Sequence, residues 1–190
     1  MAPTTENGQP LGPAAAWRSR FFGLVIVGLV SGCLSALSGS VSSGTMPSTY
    51  IALIPGVLYG ALTAVFMRLT GLTLMRTAVL FFIAVVFIWG AAVHFAPATC
   101  GDWLRGSGFL CSVTAAGLMG GGIGAAALSV FAAFLIPEFR NPYAIVAMIA
   151  IGLASGGLLT FGEFPMFVAW QGGMNLVLGY VLARRVPPSG

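Results

Sequence analysis

The sequence predicts an all-α integral membrane protein, a compact bundle of six transmembrane helices with both termini cytoplasmic. Three observations carry this expectation. Six apolar stretches, 21–40, 50–69, 77–96, 109–136, 142–161 and 165–183, each have about the 20-residue length at which a helix spans the hydrocarbon core. Only 6% of the 190 residues are charged, against about a quarter in soluble domains, so the chain cannot coat a globule with wetted surface. The arginines sort by loop. Arg18 and Arg20 precede the first stretch, Arg68 and Arg76 flank the second connection, Arg140 lies in the fourth, and Arg184 and Arg185 follow the sixth. Six crossings put all of these on one side and Arg105 alone on the other, and positive loops stay inside. The expected location is a bacterial cytoplasmic (inner) membrane.

The basic balance is arginine alone, with no lysine. A GC-rich genome explains it more simply than anion recognition, and no basic nucleic-acid patch is present. The acids divide between the sides, Glu6 and Glu138 inside, Asp102 and Glu163 outside.

Residues 1–16 are polar and proline-rich without hydrophobic period, and are expected to be a disordered cytoplasmic tail. Residues 17–185 form the membrane domain, with Trp17 beside Arg18 as an interfacial anchor, and 186–190 a second disordered tail. In the first span, Val30-Ser31-Gly32-Cys33 is similar to a lipoprotein cleavage site. Such sites usually head soluble proteins, so a cysteine in a small-residue helix is the expectation. The second span contains Pro55, which removes a backbone bond and is expected to kink it, with Thr63 placed to soften the defect.

The loop between the third and fourth spans holds Cys100 and Cys111 around Asp102, Trp103 and Arg105. On the outer side the two cysteines are a candidate disulfide, worth about 3 kcal/mol in the chain-entropy treatment. Alternatively, Cys111 lies inside the fourth span. That span is too long for a straight perpendicular helix, and is expected to tilt, bend or start late near Ser112. The fifth and sixth spans are joined so tightly that they must form an antiparallel hairpin.

Glycines spaced by four recur as Gly28/Gly32, Gly56/Gly60, Gly117/Gly121 with Gly120/Gly124, and Gly152/Gly156. That spacing puts both on one face, where another backbone can approach closely. The first two spans of each three-span half carry such a pair, a weak sign of an inverted repeat. Tight bundle packing explains it as well.

Catalytic resources are few. His94 is the single histidine, which rules out bis-histidine haem or a His-rich metal site within one chain, and is expected to be an interfacial polar group. No metal-binding cysteine cluster or Ser–His–carboxylate set is evident, and no serine lies in a Gly-x-Ser-Gly context. The expectation is no enzyme, no cofactor and no metal. Gln171 and Asn175 of the sixth span, one turn apart beside Trp170, are the candidate site, as a solute pathway or as interhelical contacts. Asn175→Leu is expected to abolish any transport and leave the fold intact.

Two functional readings follow. One is a small-solute permease, channel or membrane subunit of a transporter. Its size and span count are similar to those of the vitamin-binding subunits of energy-coupling-factor transporters, a likeness that no motif carries. The alternative is a non-catalytic structural or assembly subunit of a membrane complex. The expected partners are the lipid bilayer, a membrane-protein partner or a second copy, and an unidentified small solute, with no nucleic acid.

Overall fold

The computed structural model describes residues 13–41, 48–98 and 113–183. Among these the chain is helical throughout: α1 (Pro13–Val41), α2 (Ser48–Leu69), α3 (Met75–Ala98), α4 (Val113–Leu135), α5 (Pro142–Gly157) and α6 (Glu163–Ala183), with 3-10 turns before and after α5. Among the described residues, four segments are long and apolar enough to cross a membrane: α1, α3, α4, and α5 with the 3-10 turn that continues it. The apolar part described in α2, Leu53–Leu69, is shorter.

The helix boundaries have local causes. α1 starts ahead of Trp17 because Pro13 suits the first helical position and Ala14–Ala16 favour helix. Its 29 residues span about 43 Å. α2 ends in a Schellman turn: Leu72 N–H bonds Met67 O at 2.9 Å and Gly71 N–H bonds Arg68 O at 3.2 Å. Gly71 takes the left-handed φ of 69° this requires. α4 is described over Val113–Leu135, 23 residues, and the expected start near Ser112 lies outside the described residues. The helix stops because Pro137 forces Ile136 out of the helical region, to φ −130° and ψ 101°. Asn141 caps α5 by accepting from Tyr143 N–H at 3.0 Å, with Pro142 at the first helical position. Gly162, at φ 113°, turns the chain into α6.

The six helices form a ring in chain order. Each packs on the helices before and after it, and α1 lies beside α6 to close the ring. Neighbours run antiparallel, so Arg18, Arg20, Arg68, Arg76 and Arg140 share one end of the bundle, and Glu163 lies at the other. Large side chains fill the interior, among them Tyr59, Phe81, Leu128, Met148, Met174 and Leu178. Outward faces stay apolar: Phe87, Phe134, Val146 and Ile26 are all exposed, as suits a lipid-facing surface.

The glycine pairs seal alternate interfaces of the ring. A Cβ on Gly28 would lie 2.5 Å from Gln171 O, and one on Gly32 2.7 Å from Val168 Cα, so this pair sets α1 directly on the α6 backbone. A Cβ on Gly56 would lie 2.8 Å from Trp89 Cβ, and one on Gly60 3.1 Å from Phe82 Cδ2, which seats α3 on α2. Gly117 and Gly121 meet Gly156 and Gly152 backbone to backbone between α4 and α5. The pairing is therefore α1 with α6, α2 with α3, and α4 with α5. This pattern does not repeat with the three-helix period of an inverted repeat: the seam of α1 faces the far end of the chain, whereas that of α4 faces its successor.

Candidate functional site

Two structures occupy the interior, and α6 carries one on each side. Toward α1 and α2 it presents Gln171 and Asn175, which share a face because they are one turn apart. Both are fully buried. Asn175 Nδ2–H donates to Leu24 O at 3.0 Å and to Thr63 Oγ1 at 3.1 Å, and Tyr59 O–H donates to Asn175 Oδ1 at 3.0 Å. One amide thus ties three helices together with its hydrogen-bonding groups satisfied. Gly28 permits this: a Cβ there would sit 2.8 Å from Asn175 Cβ and hold the amide away from the α1 carbonyl. Gln171 Nε2–H donates to Ser35 Oγ at 2.9 Å, while its Oε1 is buried with no hydrogen-bond partner among the described residues. Thr63 bonds Asn175; its expected role beside Pro55 is not what its hydroxyl does.

Toward α3 and α4, α6 presents Glu163, Met166, Phe167 and Trp170 to a cavity of about 240 Å³. Glycine-rich α4 forms the opposite wall with Gly117, Gly120, Gly121 and Gly124, and α3 contributes Ile88, Trp89 and Ala92. The glycines hollow this space, since none sends a side chain into it. Aromatic rings make the floor. Trp89 and Trp170 meet edge to face with centroids 5.5 Å apart, and Phe167 leans on Trp89 at 5.4 Å. Glu163 is the one carboxylate among the lining residues, about 10 Å of helix rise above Trp170.

The two structures touch through Tyr59. Its ring packs edge-on against Trp170 at 5.6 Å, and its hydroxyl holds Asn175. Neither Gln171 nor Asn175 lines the cavity, so the two amides and Trp170, neighbours in sequence, face different surroundings. Sequence reasoning did not single out Tyr59, Trp89, Ser35 or Glu163 as site residues. The one available signal was the polar residue at mid-span in α1 and α2, which buried amides on a sixth helix would need as partners.

The remaining candidates are scattered. His94 is exposed near the end of α3. Cys33 is a free, half-buried thiol within unbroken α1, next to Gly32 at the α6 contact. Cys100, Cys111, Arg105, Arg184, Arg185 and residues 1–12 and 186–190 lie outside the described residues. No group of three His, Cys, Asp or Glu side chains converges among the described residues. No family model, curated protein or solved structure matches this chain.

Proposed function

We propose that this chain is a six-span inner-membrane protein with both termini cytoplasmic, and that it handles a small, largely apolar solute as a permease or as the solute-binding membrane subunit of a transporter. The observation that carries the reading is the tryptophan-floored cavity between α3, α4 and α6. An apolar cavity of about 150 Å³ holds benzene, so about 240 Å³ has room for a substituted aromatic ring. Glu163 at the rim disfavours anions and favours neutral or amine-bearing solutes. The arginines gathered at one end support the orientation, and in that orientation the cavity lies in the outer half of the bilayer. α2 and α6 cross as the less apolar helices, with Asn175 of α6 bonded to Tyr59 and Thr63 of α2 inside the ring.

The test is thermal unfolding of the detergent-purified protein with aromatic hydrocarbons, aromatic amines and aromatic carboxylates. Neutral and amine members should raise the midpoint, because a ligand at 100 times its Kd stabilises by about 2.7 kcal/mol. If no class does, the solute reading is wrong, and the structural-subunit alternative takes its place. The buried amide network favours that alternative, since it uses the mid-membrane polar groups for helix contacts. Native co-purification with a stoichiometric partner is its signature.

A further inference from the structure

We infer that the cavity is loaded sideways from the bilayer through the α3–α4 interface, and that its ligand is an apolar molecule dissolved in lipid. The inference rests on the cavity being a solute site and adds where the solute comes from. A second hollow, a groove of about 360 Å³, lies on the outer face of the same two helices and is flanked by Phe87 and Ile123. Both are exposed. The groove and the interior cavity share three lining residues, Ile88, Ala92 and Gly124. These three residues form the partition between lipid and the tryptophan floor.

The partition is thin for identifiable reasons. α3–α4 is one of the three ring interfaces without a paired glycine seam. At its centre, a Cβ on Gly124 would lie in ordinary contact, 3.4 Å from Ala92 Cβ and 3.9 Å from Trp170 Cζ2. Gly124 thus leaves unfilled the space a larger side chain would occupy. Ile88 is the one bulky member; it is half-buried against the core, so its side chain is the part of the partition that must move to open the path. A polar solute gains nothing from this route, because no charged residue lines the groove. An apolar solute crosses from hydrocarbon to an aromatic pocket without meeting water.

The experiment uses the full chain in lipid nanodiscs with Trp17→Phe and Trp103→Phe, so that Trp89 and Trp170 are the emitters. Bromobenzene, which partitions into lipid and quenches on contact, is the apolar probe, and acrylamide is the aqueous one. Bromobenzene should quench saturably while acrylamide does not. Gly124→Leu, whose Cβ fits without clash, should slow the quenching by about tenfold, or about 1.4 kcal/mol of added barrier. Ala92→Leu should do the same from the facing helix, and retained thermal stability of either variant certifies its fold. Equal quenching by acrylamide, or quenching that neither variant slows, overturns the lateral route but leaves the cavity reading standing. Absence of quenching by either probe overturns both.

Discussion

Asn175 holds more of the interior together than any other polar residue described. Replacing it with leucine leaves Tyr59 O–H without its acceptor and strips Leu24 O and Thr63 of a donor. A buried group left unsatisfied costs about 1–3 kcal/mol. Asn175→Leu should therefore lower stability by about that amount, read as an earlier midpoint in denaturant titration in mixed micelles. This revises the expectation of an intact fold. Tyr59→Phe removes one bond and keeps the ring on Trp170, so it should cost about 0.5–1.5 kcal/mol. A Tyr59→Phe cost equal to that of Asn175→Leu would mean that the Leu24 and Thr63 bonds contribute nothing. At the cavity, Glu163→Gln should weaken binding of an aromatic amine and leave a neutral aromatic unchanged. Exposed charges contribute about 0.2–1 kcal/mol, a change of roughly 1.4- to fivefold in Kd, measurable by titration calorimetry. Gln171 and Asn175 were legible as candidates because an amide in hydrocarbon demands a partner. Thr63 and Ser35 were not, because short hydroxyl side chains are common in apolar helices and bond their own backbone, as Ser31 does to Gly28 O at 2.9 Å, and Tyr59 reads in sequence as one more aromatic of an apolar span.

Among the helices, the α4–α5 pair is the most constrained. Its contact is main chain against main chain at Gly117, Gly121, Gly152 and Gly156, so an added side chain has no neighbouring rotamer to displace. Gly152→Val should destabilise by at least the roughly 1–3 kcal/mol of ordinary overpacking, and reduce the folded yield on size-exclusion chromatography. Gly157→Ala is the contrast: its Cβ would meet only Leu118 Cδ2, at 3.5 Å, and folding should be unaffected. Indistinguishable behaviour of the two variants would remove the seam as a stability element. The positions of all six helices were readable from apolar length, with α1 underestimated at its start. The extra turns of α1 begin on Pro13 and three alanines, ahead of the apolar run that marks the span. Glycine spacing announced which helices carry a seam, but not which helix each seam faces. That depends on ring order, which no local pattern encodes.

The assembled ring has a testable orientation. Reporter fusions at both termini should read cytoplasmic, in keeping with the shared end of Arg18, Arg20, Arg68, Arg76 and Arg140. A periplasmic N-terminus would overturn the six-span reading or reveal cleavage before Cys33, and intact mass separates those two outcomes. Ring closure also sets an order of events during synthesis. The bond from Asn175 to the Leu24 carbonyl joins residues 151 positions apart. At about 5–20 residues per second, α1 is made roughly 8–30 seconds before the helix it packs on. For that interval the bare backbone at Gly28 and Gly32 has no α6 to lie against. Nascent α1 must be sheltered by the insertion machinery or by α2. Ribosome-bound chains stopped before α6 should therefore present the glycine face of α1 to crosslinkers and chaperones, and full-length chains should hide it.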